Sequence, residues 1–221
     1  MTPNPALLGS TGRPSGHPAR RPSGRLSQPS SRTAGSPGMS LHTAQGRRKY
    51  LTPDERARFI AVASRQPPEI LTLCLVLAWT GCRVSEALAL THADLDRAGG
   101  IVSLHSLKKR RTGIVRDVPV PDGVMAIIDL VHDLELPDRR LWPIVRSTAW
   151  QQVKAVMREA GVGASAASPK GLRHGFGVHA LRSGVPLTLL QRWLGHASLS
   201  TTAIYADVLG AEEREIAARM W

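Results

Sequence analysis

The pattern of apolar and polar positions predicts a mainly helical chain whose order begins near Tyr50. The run Thr52-Pro53-Asp54-Glu55 offers a capping hydroxyl, a proline at the first helical position and a glutamate three residues after the cap. This combination is typical of a helix start. The segment 70–79 is apolar on every side, which predicts a buried central helix that ends at Gly81. Another helix should begin at Arg83.

The middle of the chain predicts one small sheet, and the rest predicts helices. The β-like runs 101–104 and 115–118 flank a basic turn at 108–113. Apolar residues at helical spacing, separated by Gly and Pro, predict helices at 123–133, 147–160, 172–183, 187–194, 198–208 and 211–220. In helix 147–160, Trp150, Val153 and Met157 should form the buried stripe. The expected fold class is α+β, mainly α with a small β-sheet.

The first 46 residues have a different composition from the remainder. Pro, Gly and Ser dominate this segment, and it contains no Phe, Trp or Tyr. Such a composition buries too little apolar surface to offset the entropy of ordering. We therefore expect a disordered tail at 1–46 and a folded domain at 47–221. The tail has two interpretations. It is either a basic arm that contacts the DNA backbone, or a segment read upstream of the true translation start, which would then be Met39.

Charge and cysteine content narrow the class of protein. The formal net charge is +12 and predicts a polyanion as partner. Residues 1–49 hold eight of the 29 Lys and Arg and none of the 17 acidic residues, so the remainder is much less basic. Cys74 and Cys82 lack the spacing of metal ligands and are expected to be buried, reduced thiols of a cytoplasmic protein. No apolar run is long enough to cross a bilayer, so we expect no membrane association.

Four sequence blocks carry the chemistry of this chain. They are Thr80–Leu88, with Gly81, Arg83 and Glu86; the basic hairpin 104–120; Gly171–Phe176, which reads Gly-Leu-Arg-His-Gly-Phe; and 194–208, with His196 and Tyr205. In this order the blocks resemble the catalytic domain of the tyrosine recombinase (phage integrase) family, from about Tyr50 to Trp221. The resemblance implies that family's helical domain with a small sheet. It also implies a short form that lacks the usual N-terminal core-binding domain.

The resemblance assigns a role in DNA strand cleavage to residues of each block. Tyr205 would be the nucleophile that forms a covalent 3′-phosphotyrosine, which conserves the bond energy for rejoining. Arg83 and Arg173 would clamp the phosphate, because a planar guanidinium grips two oxygens at once. His196 would donate a hydrogen bond to the same phosphate. No metal and no other cofactor is expected. The expected partner is double-stranded DNA, on whose paired sites four copies of the chain would form a homotetramer. An accessory DNA-bending or core-binding protein is also expected.

Two positions leave the assignment of the site open. Lys108, at the end of the first strand of the hairpin, would protonate the departing 5′-hydroxyl, with Lys109 as the alternative. Lys170 stands three residues before Arg173, where the family usually has histidine. A lysine can still hold a phosphate and exchange protons there. His174 is expected to donate to backbone within the site, and His179 to lie in the core.

A second function remains open from the sequence alone. Residues 187–205 resemble a helix-turn-helix, with Gly195 in the turn and 198–206 as the recognition helix. The chain could therefore be a catalytically weak or inactive DNA-binding regulator, which the lysine at position 170 would favour. An enzyme, a site-specific recombinase of integrase or invertase type, is favoured by the intact set of Arg83, Lys108, Arg173, His196 and Tyr205. We expect this enzyme in the bacterial cytoplasm, associated with the nucleoid.

Overall fold

The computed structural model describes residues 40–107, 113–132, 137–208 and 217–218. Within these ranges the predicted α+β class is confirmed. The helices are α1 (Pro53–Ala63), α2 (Pro68–Thr80), α3 (Val84–Ala87), α4 (Asp122–Val131), α5 (Arg146–Glu159), α6 (Pro169–Arg182), α7 (Leu187–Leu194) and α8 (Ser200–Ala203). Short 3-10 helices cover His92–Asp94 and Ala206–Val208.

Helices α1 and α2 form as the sequence predicts. The Thr52 hydroxyl accepts a hydrogen bond from the backbone N–H of Glu55 at 3.2 Å, and the Glu55 carboxylate accepts one from the backbone N–H of Thr52 at 2.9 Å. This reciprocal pair satisfies two N–H groups that a helix start leaves open. Helix α2 is buried along most of its length and lies at the centre of the main core. It ends at Gly81, whose φ of 60° is left-handed and costs glycine little.

The sheet has three antiparallel strands in the order β1 (Leu95–Asp96), β2 (Ile101–His105) and β3 (Val115–Pro119). The hairpin β2–β3 was expected, whereas the two-residue strand β1 was not. In the register, Val102 pairs with both Leu95 and Val118. Alternation along β3 places Val118 and Arg116 on the buried face. The turn of the hairpin at 108–112, and with it Lys108 and Lys109, lies outside the described residues.

The structured chain reaches back beyond the predicted boundary at residue 46. Leu41 is only 4% exposed and packs in a second apolar cluster with residues of α6 and α7. His42 and Arg48 form an isolated antiparallel bridge, and Arg48 pairs with Glu55 in α1. Residues 1–39 lie outside the described part, so the disorder of the tail stays a prediction.

The helix predicted at 198–208 is broken in the structure. Helix α8 covers four residues, and the backbone N–H of Thr202 and of Tyr205 bond the carbonyl three residues back, at Leu199 and Thr202. A side chain competes for the backbone at the start of this segment, since the Ser198 hydroxyl accepts a hydrogen bond from the backbone N–H of Ser200 at 3.3 Å. The recognition helix that the helix-turn-helix alternative expects at 198–206 is therefore reduced to the four residues of α8. The helix predicted at 211–220 lies almost wholly outside the described residues.

Three smaller predictions have clear outcomes. Helix α6 begins at Pro169, three residues before the predicted start, because the Ser168 hydroxyl caps it by accepting from the backbone N–H of Gly171. Cys74 and Cys82 are buried and free, as expected. Among the described residues, no helix combines the length and the apolar character needed to cross a membrane.

Candidate active site

A cavity of about 520 Å³ gathers residues from four separate segments of the chain. Its walls come from the start of α3, one side of α5, the start of α6 and the segment after α7. Five of the six predicted site residues line it: Arg83, Lys170, Arg173, His196 and Tyr205. The sixth, Lys108, lies outside the described residues. Residues 122 positions apart in sequence therefore meet at one site.

Arg173 is held in place by the ends of two helices. Its Nη1 donates to the carbonyl of Gly81 at 2.7 Å, and its Nη2 donates to the carbonyl of Leu194 at 2.5 Å. These carbonyls lie at the C-terminal ends of α2 and α7, where backbone oxygens lack helical partners and attract cations. Burial, together with the charge of Arg83, lowers the pKa of Arg173 to about 10. The guanidinium thus stays charged at neutral pH.

Arg83 is positioned by a buried carboxylate. Glu86, only 3% exposed, accepts from Arg83 Nη1 at 2.7 Å and from the Arg83 backbone N–H at 2.8 Å. It also accepts from Nη2 of the buried Arg116 at 2.6 Å. Nε of Arg116 donates to the carbonyl of Trp193 at the end of α7. This network ties α3, the sheet and α7 together directly behind the cavity.

Glu86 and Arg116 were not identified as site residues from the sequence. Glu86 occurs in the first arginine block, but its partner Arg116 is 30 residues away on another element. A signal did exist, because strand alternation places Arg116 on the same face as Val118. A charged residue on the buried face of a strand needs an opposite charge nearby.

Tyr205 is wholly buried, with its ring packed against α6. Its hydroxyl lies 3.0 Å from Nδ1 of His174. A Cβ added to Gly177 would come within 2.7 Å of the tyrosine ring, so only glycine leaves room for the ring at that position. Burial raises the pKa of Tyr205 to about 12, against the opposing effect of Arg173 and Arg83. The hydroxyl is therefore protonated at neutral pH.

His174 differs from its predicted role. It was expected to donate to backbone, whereas its hydrogen bond is with the side chain of Tyr205. The reason is its position on α6, one helical turn before Gly177, so that the ring of Tyr205 lies across both residues.

His196 stands beside Tyr205 and is oriented by a hydroxyl. Its Nδ1 lies 2.9 Å from Oγ1 of the buried Thr202. Its ring is nearly parallel to the tyrosine ring, at 8° and with 6.4 Å between centroids. Burial and the charges of Arg173 and Arg83 lower the pKa of His196 to about 3, so the imidazole is neutral at physiological pH. A neutral imidazole with one nitrogen engaged can donate one hydrogen bond from the other.

Positive charge exceeds negative charge among the described groups of this site. Arg83, Arg116 and Arg173 face the single carboxylate of Glu86, and the exposed Lys170 adds a further cation at the rim. Positive charges that lack enough negative partners in a partly buried site are stabilised when an anion binds. The arrangement is suited to bind a phosphate group. Within the described ranges no cluster of three or more His, Cys, Asp or Glu side chains could hold a metal ion.

Trp150 does not lie in the buried stripe that its spacing predicted. Helix α5 buries Ala149, Val153, Val156 and Met157, whereas Trp150 is 39% exposed and lines the cavity. Trp150 lies about 75° from the centre of the buried face, at its edge, since consecutive helical residues are rotated by about 100°. Nζ of Lys154 lies 4.6 Å from the centre of the indole ring.

Comparisons with known proteins agree with this fold. Tyrosine recombinase XerD of Shewanella oneidensis is 34% identical over 152 residues, covering 62% of this chain and 48% of that protein. Tyrosine recombinase XerA of Pyrococcus furiosus is 30% identical over 184 residues, covering 77% and 61%. The chain thus spans between about half and three fifths of the length of these curated relatives.

Solved structures of recombinases also match the fold of this chain. The crystal structure of XerA recombinase matches with a TM-score of 0.65 at 28% identity, covering 77% of this chain and 64% of that one. XerH recombinase bound to palindromic difH substrate, in a post-cleavage complex, matches in fold with a TM-score of 0.63 at 21% identity over 78% of this chain and 53% of that one. The model of the phage integrase family matches residues 49–212. The chain belongs to the phage integrase family.

Proposed function

We propose that this chain is a site-specific DNA recombinase of integrase or invertase type. The observation that carries the proposal is the single cavity in which Arg83, Arg173 and His196 surround the buried Tyr205. Two guanidiniums and one imidazole provide hydrogen-bond donors for the non-bridging oxygens of a phosphodiester. Donors fixed in advance by Glu86 and by helix ends stabilise the charge that develops in the transition state.

The proposed reaction exchanges one phosphate ester for another. The oxygen of Tyr205 bonds to phosphorus as the bond from phosphorus to the 5′-oxygen of the next nucleotide breaks. The leaving oxygen takes a proton from Lys108, or from Lys109 in the alternative assignment, and Lys170 contacts the phosphate in place of the usual histidine. The DNA 3′-phosphate remains on the tyrosine. Attack by a 5′-hydroxyl from a second duplex reverses the step and joins the strands.

The proposed substrate is double-stranded DNA in a higher-order complex. The matching XerH structure is a complex with palindromic difH substrate, and the basic cavity of this chain suits a phosphodiester. Each chain offers one Tyr205, so cutting both strands of two duplexes requires four copies. We therefore propose a homotetramer on paired sites, assisted by an accessory DNA-bending or core-binding protein. It would act on bacterial DNA in the cytoplasm, at the nucleoid.

A nicked suicide substrate tests the proposal. A nick near the cleavage point lets the short downstream strand diffuse away, which traps the covalent complex. The native chain should give a protein–DNA adduct that resists denaturant, and Tyr205→Phe should give none. Tyr50→Phe is the matched control, because Tyr50 is the other tyrosine of the chain and does not line the cavity. It should retain the adduct.

Two outcomes would contradict the proposal. An adduct that persists in Tyr205→Phe would assign the nucleophile to another residue. DNA binding by the native chain without any adduct, on a substrate that contains its cognate site, would favour the inactive regulator.

Lys170→His tests the unusual position separately, and an unchanged rate would show that the lysine fully replaces histidine.

A further inference from the structure

One histidine that the reaction above does not use contacts its nucleophile. His174 is 2% exposed, and its Nδ1 lies 3.0 Å from the hydroxyl oxygen of Tyr205. Its Nε2 is buried and has no hydrogen-bond partner among the described residues. Within the described part of the chain, the bond to Tyr205 is therefore the polar contact that fixes this ring.

The helix that carries His174 also builds the rest of the nucleophile's surroundings. Arg173 precedes it on α6 and, rotated by about 100° around the helix, reaches the ends of α2 and α7. Gly177 follows one turn later and leaves the space that the tyrosine ring fills. The same helix therefore holds a phosphate ligand, the tyrosine ring and the tyrosine hydroxyl in a fixed relation.

The reaction needs an acceptor for the phenol proton. At neutral pH Tyr205 carries its proton, and that proton must leave as the oxygen bonds to phosphorus. Arg83, Arg173 and Lys170 are cations and have no lone pair to offer. The ring of His196 is stacked on the ring of Tyr205, and its Nδ1 is hydrogen-bonded to Thr202. Neither the stacking nor this hydrogen bond directs a nitrogen of His196 at the hydroxyl of Tyr205. His174 is at hydrogen-bond distance and has a lone pair in its neutral form.

We propose that His174 is the general base of the cleavage step and the general acid of the rejoining step. Nδ1 accepts the proton of Tyr205 as the bond from oxygen to phosphorus forms and the bond to the 5′-oxygen breaks. On rejoining, the proton returns from Nδ1 to the tyrosine oxygen as that oxygen leaves phosphorus. The assignment rests on the proposed recombinase function and adds a residue to it. It also accounts for an active site in which position 170 is lysine.

The charges around His174 keep it in the acceptor form before DNA binds. Burial, and the positive charges of Lys170, Arg173 and Lys49, lower the pKa of His174 to about 4. His174 is therefore neutral at physiological pH. A phosphodiester bound between the arginines brings negative charge that opposes these cations, so it favours the imidazolium that proton transfer creates. His196 is the other titratable neighbour and is neutral over the same range.

The decisive experiment measures single-turnover adduct formation on two nicked substrates. One has the natural 5′-oxygen at the cleaved bond, and the other has sulfur there, which leaves readily without a proton donor. His174→Asn keeps a hydrogen-bonding atom near the position of Nδ1 but accepts no proton at neutral pH. It should slow cleavage of both substrates by about 100-fold or more, the usual range for general base catalysis. His179→Asn, the same substitution further along α6, should stay within about twofold.

Chemical rescue separates proton transfer from mere positioning. His174→Ala leaves a space beside the tyrosine hydroxyl, and added imidazole should restore the rate by about tenfold or more. The rescued rate should rise with pH through the pKa of imidazole, because only the neutral form accepts a proton. Melting curves show whether each variant folds. If His174→Asn does not fold, the native chain still tests the assignment, since its rate on the sulfur substrate should rise through one ionisation between about pH 4 and pH 8.

Several results would overturn the assignment. An unchanged or faster rate in folded His174→Asn would mean that the contact only restrains the resting tyrosine. Recovery of that variant by the sulfur substrate would place His174 at the leaving group instead. A flat pH profile of the native chain on the sulfur substrate would also contradict it. If the native chain forms no adduct at all, the proposed recombinase function is wrong. If the native chain forms an adduct whose rate does not depend on His174, only the assignment of His174 is wrong.

Discussion

Replacing Glu86 with glutamine removes the negative charge that organises the arginines of the site. Glu86 accepts hydrogen bonds from Arg83 at 2.7 Å and from Arg116 at 2.6 Å, and both carboxylate oxygens are engaged. The side chains of Glu86 and Arg116 are 3% and 4% exposed, so water cannot replace the lost partner. Glu86→Gln keeps the shape of the side chain and leaves the charge of Arg116 buried and unpaired.

The expected loss of stability follows from that unpaired charge. Removing one partner of a buried ion pair costs about 3–5 kcal/mol. Because glutamine still accepts one hydrogen bond, we expect the lower end, about 3 kcal/mol. For a chain of this size this corresponds to a fall in melting temperature of about 6–12 °C. Arg83 also loses its anchor, and adduct formation should slow by about tenfold or more.

The pH dependence of stability provides an internal check. Burial raises the pKa of Glu86, but Arg116 and Arg83 outweigh this effect, and the net pKa is lowered below 4.5. A carboxyl group whose pKa is lower in the folded state stabilises the fold above its unfolded pKa. That contribution is lost as the pH falls through the folded pKa. The stability gap between the native chain and Glu86→Gln should therefore shrink in acid.

Denaturant unfolding followed by circular dichroism measures these differences, with two variants for comparison. Glu159→Gln is the matched control, because Glu159 is half exposed and its pair with Arg65 spans 3.6 Å. It should change stability by less than about 0.5 kcal/mol. Adding Arg116→Met to Glu86→Gln removes the unpaired cation and should recover part of the stability. An equal, small effect of Glu86→Gln and Glu159→Gln would refute the reasoning.

Three further predictions concern packing. Gly177→Ala should displace the ring of the nucleophile, lower stability by about 1–3 kcal/mol and reduce adduct formation. Gly123→Ala, which is also in a helix but meets nothing within 4 Å, should lower neither quantity in thermal melts and adduct assays. Leu41→Ala should cost about 2 kcal/mol or more in denaturant unfolding, and no loss would mean that the segment before residue 46 does not dock. Burial raises the pKa of Cys74 to about 12 and of Cys82 to about 11, so a thiol reagent should modify both only after unfolding, and rapid reaction of the native chain at neutral pH would contradict their burial.

Local signals in the sequence were sufficient to predict much of the fold. The capping pattern at Thr52, the apolar run of α2 and its glycine stop are properties of neighbouring residues, which act within one or two helical turns. The blocks around Arg83, Arg173, His196 and Tyr205 also predicted which side chains meet. The structure brings these four to one cavity.

Orientation and long-range pairing could not be predicted in the same way. The bond between Glu86 and Arg116 depends on how β3 packs against α3, which no local pattern specifies. Trp150 shares the spacing of the buried stripe of α5, but it stands at the edge of that stripe and faces the cavity. The break in the helix before Tyr205 arises from competition between side-chain and backbone hydrogen bonds and from packing of the ring on α6. Each of these outcomes is decided by the assembled core.

The identity of the residue that becomes bonded to DNA tests the central claim most directly. The native chain is incubated with a nicked duplex containing its site, the adduct is digested with protease and nuclease, and the modified peptide is sequenced by mass spectrometry. We expect the modification on Tyr205, as an ester of the DNA 3′-phosphate. Attachment to any other residue, or cleaved DNA that carries a free phosphate and no protein, would contradict the account.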